Sequence, residues 1–167
     1  LDLFPIASPS LINNRPIRTA RDLAEHTILH GDDGHEWHIW LTQADVHDVS
    51  GVQQHHFSDA RLAIEGALLG HGIALGDTLT AASLLTRGQV IVPFKLAVPA
   101  VDAFYVACSN DVRSTPAVEA FIDWLFSSLE EDDAKAEPMI AARRTIRRAQ
   151  AASPVPDEIH SIEPSKP

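Results

Sequence analysis

The chain has 167 residues, 45% of them hydrophobic, which suits a single globular domain with a sizeable core and excludes wholesale disorder. Asp+Glu 23 against Lys+Arg 13 gives a formal net charge of −10 with His neutral, which excludes a nucleic-acid surface over the bulk of the chain, because neutralising phosphates needs clustered Lys and Arg. No apolar run reaches the ~20 residues of a membrane span, and the single cysteine, Cys108, excludes a disulfide framework or a multi-cysteine zinc site and fits a reducing compartment.

The sequence starts at Leu1 and has no basic and apolar leader before Phe4, so a piece of a longer protein is expected. Leu3 to Ala7 reads as a strand closed by a turn at Ser8-Pro9-Ser10. Thr19 can cap a short helix over Ala20 to His26, with Asp22 in its first turn. Thr27 to Leu29 is a short strand, and Gly31-Asp32-Asp33-Gly34 a turn. Trp37, Trp40 and Leu41 share a face of a helix over Glu36 to Ala44. After a loop over Val46 to Gly51, Val52 to Phe57 is a strand ended by Ser58-Asp59. Ser58 or Asp59 caps a helix carrying Leu62, Ala63, Ile64, Ala67 and Leu68, which Gly70-His71-Gly72 ends.

Ile73 to Leu75 is a buried strand leading through Gly76-Asp77 to a helix over Thr80 to Thr86, with a turn at Arg87-Gly88. Val90 to Val92 is a strand stopped by Pro93, and the aromatic, β-branched run Asp102 to Cys108 is a strong one. Ser114-Thr115-Pro116 starts a helix whose Val118, Phe121, Ile122, Leu125 and Leu129 form an apolar stripe. Beyond it the composition shifts to an acidic run, paired arginines and a Pro-rich end, so 130–167 reads as a charged, disordered tail with one frayed helix over Ala141 to Ala151. The body, 1–129, remains acidic without it.

Alternating strands and helices predict an α/β fold with a mostly parallel sheet flanked by helices. Ligands in such sheets sit outside the carboxyl ends of strands, near helix N-termini. Ser8-Pro9-Ser10, Ser58-Asp59 and Gly76-Asp77-Thr78 are the three places that fit.

No acid–base constellation stands out. His30, His35 and His38 lie near Asp32, Asp33 and Glu36, but His35-Glu36-Trp37-His38 misses the H-E-x-x-H spacing, and His55 and His56 point to opposite faces of a strand. No nucleophile elbow, dinucleotide loop or Walker sequence occurs. Cys108 inside an apolar strand reads as a small buried hydrophobe, and Trp37, Trp40 and Trp124 stand at core spacing. Arg143 to Arg148 is a basic patch on the tail, read as solvated. The residues support binding of a small polar molecule better than catalysis, with no metal or cofactor.

A larger pattern runs through these elements. Phe4-Pro5-Ile6-Ala7-Ser8-Pro9-Ser10-Leu11, Thr19-Ala20-Arg21-Asp22-Leu23 and Glu36-Trp37-x-x-Trp40 open it. Phe57-Ser58-Asp59-Ala60-x-Leu62-Ala63, Gly70-x-Gly72-Ile73-Ala74-Leu75-Gly76, Pro93-Phe94, Phe104-Tyr105-Val106 and Thr115-Pro116-Ala117-Val118 continue it. This ordered set resembles the effector-binding (substrate-binding) domain of LysR-type transcriptional regulators, in the branch that contains the glycine-cleavage activator and the β-lactamase regulator. It covers about 1–129, and the tail matches nothing in it.

The resemblance implies a type 2 periplasmic-binding-protein-like fold, with 1–129 as the second subdomain plus a return helix that belongs to the first. It implies a cytoplasmic, homo-oligomeric transcription regulator and not an enzyme. A small-molecule effector would sit between the subdomains, and DNA would be bound only through a helix-turn-helix domain absent from this chain. Carried over by position, the effector-binding residues are Ser8, Ser58, Asp59, Ala60, Phe104 and Tyr105. Only one of Phe104 and Tyr105 can face a cleft if they alternate across a strand. Ala60 departs from the hydroxyl residue expected in some relatives, which puts a peptide-like ligand in doubt. The rival readings are a solute-binding protein of the same fold, a small metal hydrolase using His30, His35 or His38, and a truncated gene fragment.

Overall fold

The structure, a computed structural model, describes residues 2–46, 53–100, 104–109 and 112–140. The expected loop after Val46 and the expected helix over Ala141 to Ala151 lie outside them, as does the tail beyond Ile140. Strand β1 (Asp2–Ile6) leads into helix α1 (Pro9–Asn14) and a 3-10 helix (Ala20–Glu25). Then β2 (Ile28–His30), α2 (His35–Gln43), β3 (Gln54–His56), α3 (Ala60–Leu68), β4 (Ile73–Gly76) and α4 (Thr78–Thr86) alternate. A short β5 (Val98–Pro99) and the long α5 (Pro116–Ile140) complete the described chain.

The strands form one sheet in the order β3-β2-β4-β1-β5. β3, β2 and β4 run parallel, in the registers His30↔His56 and Leu29↔Ala74. β1 is antiparallel to both of its neighbours, pairing Phe4 with Gly76 and Asp2 with Pro99. Because strand side chains alternate, successive residues build opposite cores. Phe4, Ile6, Leu29 and Ala74 pack with α3 and α4 on one face, while Leu3, Ile28, Ile73 and Leu75 pack with Trp37, Trp40 and Leu23 on the other. The sheet is covered on both faces, as expected.

Helix starts follow their caps. The Asp59 carboxylate accepts from the amides of Arg61 and Leu62 at 2.7 and 3.3 Å, closing the first turn of α3. Asp77 and Thr80 exchange side-chain bonds with each other's amides at the start of α4, a capping box. At α2 the Asp32 carboxylate reaches past the turn and accepts from the amides of Gly34 and Glu36 at 3.0 and 2.9 Å. Trp37 and Trp40 then anchor α2: their indole N–H groups donate to the carbonyls of Leu29 and Leu96, both at 3.0 Å. Trp40 stands edge-on between Trp37 and Phe94.

Several expectations need correction. Ser8-Pro9-Ser10 is not a turn but the start of α1: Ser8 is the N-cap, its hydroxyl accepting from the Leu11 amide at 3.3 Å. Val90 to Val92 contributes a single bridge, Ile91 to Ala7, in place of a strand. The strong β-former run has no strand over its described part, 104–108, and Phe104, Tyr105 and Val106 are exposed. A strand exists only beside another, and no described strand flanks it. Cys108 is accordingly exposed. The helix expected to end at Leu129 continues to Ile140, because Ala136 and Ile140 are buried in the core against α4, so residues 130–140 are not a disordered tail. Its first half is uncovered: Phe121, Trp124 and Phe126 are exposed, so Trp124 is not a core residue of this chain.

Candidate functional site

The parallel strands end together. His30, His56 and Gly76 close β2, β3 and β4 on one edge of the sheet, and α2, α3 and α4 begin just beyond it. The antiparallel β1 starts at that same edge, where Asp2 pairs with Pro99 of β5. This carboxyl edge therefore gathers three helix starts, the start of β1 and the end of β5, and helix starts beyond the carboxyl ends of strands are where α/β sheets bind ligands.

Ser58, Asp59 and Ala60 lie there, at the N-terminus of α3, all exposed. The Ser58 hydroxyl has no partner among the described residues, whereas Asp59 is occupied as a cap. Gly31, after β2, abuts Ala60 so closely that a Cβ on it would overlap the Ala60 Cα. The start of α3 and the β2–α2 loop are thus locked together through backbone, which only glycine permits. Each helix start on this edge holds an aspartate: Asp32 at α2, Asp59 at α3 and Asp77 at α4. Their carboxylates already take the amides that would otherwise receive an anion.

Beneath the Gly31–Gly34 loop lies His30, 4% exposed and stacked on His56 with ring centroids 4.3 Å apart and planes 10° from parallel. Neither nitrogen of the buried His30 ring has a hydrogen-bond partner, although the Gln54 side chain approaches it. Burial, and then the neighbouring His56, push its pKa below the ordinary value, with Asp32 pulling the other way. His56 presents Nδ1 to the Asp32 carbonyl at 3.4 Å.

Three of the six expected site residues come together, and three do not. Because β1 is antiparallel, Ser8 at its end falls on the opposite edge: its amide donates to the Ala67 carbonyl at 3.2 Å, and its hydroxyl lies by Gly70 at the far end of α3. The nine residues of α3, ~13.5 Å at 1.5 Å each, separate it from Ala60. Ser8 is a buried cap, sharing its hydroxyl with Ser10 at 3.1 Å. Phe104 and Tyr105, 68% and 85% exposed, wall no cleft within this chain. No group of three or more His, Cys, Asp or Glu among the described residues could hold a metal ion, so His30, His35 and His38 do not converge on one.

Sequence reasoning placed His30 and His56 separately and missed that they are neighbours. The signal available was their equal position, each the last residue of a strand feeding the same parallel sheet. A cavity of about 450 Å³ lies on the opposite edge, bordered by Leu11, Arg15, Glu25, His26, Thr27 and His71. At the carboxyl edge Ser58, Asp59 and Ala60 are exposed, while Asp77 and Thr78 are buried.

A family model described as the LysR substrate binding domain matches residues 2–130. The glycine cleavage system transcriptional activator of Escherichia coli (strain K12) is 28% identical over 134 residues, covering 80% of this chain and 44% of that protein. The HTH-type transcriptional activator AmpR of Providencia stuartii is 26% identical over 110 residues, covering 66% of this chain and 37% of that protein. The chain therefore spans less than half the length of these relatives. Among solved structures, a Citrobacter freundii effector binding domain carrying three substitutions superposes with a TM-score of 0.63 at 23% identity, over 77% of this chain and 64% of that one. The effector domain of the transcriptional regulator AmpR of Pseudomonas aeruginosa superposes with a TM-score of 0.59 at 22% identity, over 81% and 65%. The shared fold is the periplasmic-binding-protein-like one, mixed α/β with a mostly parallel sheet flanked by helices.

Proposed function

The chain belongs to the LysR substrate binding domain family, and from that membership we propose that it is the effector-binding portion of a LysR-type transcriptional regulator. A small polar molecule docks on the carboxyl edge, against Ser58, the Asp59-capped start of α3, Ala60 and the backbone of Gly31. The observation that carries this reading is the gathering of three helix starts, the start of β1 and the end of β5 on one edge, with Ser58, Asp59 and Ala60 exposed there, in a chain of this family. The opposite wall belongs to a first subdomain outside these residues. The segment with Phe104 and Tyr105 and the apolar face of α5 belong with that subdomain, which is why nothing here covers them. Ser8 drops out of the ligand set and acts as a cap.

A ligand of this kind works by binding one arrangement of the subdomains better than the other, which shifts their populations. In the longer protein the shift passes to a helix-turn-helix domain on DNA, in a homo-oligomer in the cytoplasm. The chain itself performs no catalysis. No described helix is long and apolar enough to cross a membrane.

The test is the coding sequence that precedes the codon for Leu1. An in-frame helix-turn-helix followed by the missing subdomain is the expected result. An export signal in its place would convert the reading to a solute-binding protein of the same fold.

A further inference from the structure

We propose that the His30–His56 pair makes the proposed ligand face proton-sensitive: His30 is neutral while the Gly31–Gly34 loop is closed, and its protonation opens that loop. Regulation of ligand binding in this way rests on the assignment of the carboxyl edge as the ligand face, but the proton-linked opening does not.

A neutral imidazole carries one N–H and one lone pair, and a protonated one carries two N–H groups. Neither nitrogen of His30 has a partner at hydrogen-bond geometry, although the Gln54 side chain approaches the ring, and the residue is 4% exposed. A proton gained in place would therefore bury a charge whose N–H groups find at most the nearby Gln54 side chain to accept from them, a costly arrangement for a polar group. The ring also lies 4.3 Å from His56 in a parallel stack, so a second positive charge there would face the first without water between them. The titratable groups on other elements that act on His30 are His56 on β3 and Asp32 in the covering loop, while His35 and Glu36 stand at the start of α2 and Asp59 and Arg61 at the start of α3, beyond the same sheet edge. The Asp32 carboxylate favours the charged ring, but it is committed to the amides of Gly34 and Glu36.

The relief available is movement of the loop. Gly34 lies over the ring, with the place of its Cβ 3.5 Å from His30 Nδ1 and 3.9 Å from His56 Cε1. Lifting this loop hydrates the buried His30 ring, and it also frees Gly31 from Ala60, the contact that fixes the start of α3. Proton uptake by His30 and loss of the ordered ligand face are then one event. The proton comes from solvent, and no other reactant is needed.

The experiment uses the full 167-residue chain without any ligand. Histidine ring resonances are followed by NMR through pH, together with hydrogen exchange at the Gly34 and Glu36 amides, corrected for intrinsic rates. His30 is expected to titrate below 6.5, the ordinary value. Protection of the two amides should fall through the same range, by about tenfold for each unit of that depression. His56→Gln is expected to raise the His30 midpoint toward 6.5, because it removes the like charge. His30→Phe, which keeps a flat ring on His56, is expected to abolish the pH dependence at these amides. A His30 midpoint at or above 6.5, no response to His56→Gln, or a pH dependence that survives His30→Phe would overturn the proposal. Because no effector enters the measurement, its failure leaves the regulator assignment standing, and the reverse also holds.

Discussion

At the scale of single residues, the carboxyl edge is held by contacts that small substitutions should resolve. Gly31→Ala forces a Cβ into the Ala60 backbone, so it should cost roughly 2–3 kcal/mol in urea denaturation, at the upper end for overpacking. Gly88→Ala is its control: Gly88 has φ 66 and nothing near its Cβ position, so only backbone strain of about 1 kcal/mol is expected. Equal losses would mean that the Gly31–Ala60 contact can yield. Asp59 separates a cap from a ligand group. Asp59→Ala should lose about 1 kcal/mol, while Asp59→Asn keeps an acceptor and should stay within a few tenths. Acid should weaken the fold at the same scale. Burial depresses the pKa of His26 and of His30, so between their folded values and 6.5 the unfolded chain binds more protons. Their contribution is complete above 6.5 and declines as pH falls below it, which denaturation midpoints across that range will read.

At the scale of elements, legibility followed the locality of the signal. The start of α3 is readable because Asp59 acts on amides two or three residues away, whereas α4, expected from Thr80, starts two residues earlier at Thr78 under the Asp77 cap. Trp37 and Trp40 announced α2 by spacing, and the indole bonds to Leu29 and Leu96 complete it. What depended on partners was not readable. Phe104 to Cys108 has the composition of a strand, but composition supplies no neighbouring strand. Ser8 was assigned to the ligand edge because the direction of β1 is a property of the sheet, invisible in a local pattern. The polar-looking stretch 130–140 hid Ala136 and Ile140, two buried residues four apart on α5. That last point is testable by truncation. A chain ending at Leu129 should lose several kcal/mol, since burying one side chain such as Ile140 contributes ~2 kcal/mol and α4 loses its cover with it. An unchanged denaturation midpoint would return 130–140 to the status of a tail.

At the scale of the whole molecule, the described residues hold two different surfaces. The sheet and its covering helices bury a two-sided core, with Phe4, Trp40 and Leu23 at 0% exposure. The chain beyond β5 instead carries large apolar side chains in the open: Phe104 and Tyr105 before α5, and Phe121, Trp124 at 60% and Phe126 on it. Phe121 and Trp124 already touch, ring centroids 5.7 Å apart, so the patch is continuous on the helix. Exposed apolar surface of this extent drives association, because each copy removes the other's from water. The isolated chain should therefore sediment as a dimer or larger at micromolar concentration. Charge repulsion opposes this, so added salt should strengthen it by screening the acidic body. Phe121→Glu combined with Trp124→Glu should restore a monomer with little change in unfolding midpoint, since both side chains are exposed. A monodisperse wild-type monomer with a sharp thermal transition would show that this face is tolerated in water, and would remove the physical reason for assigning it to a missing subdomain.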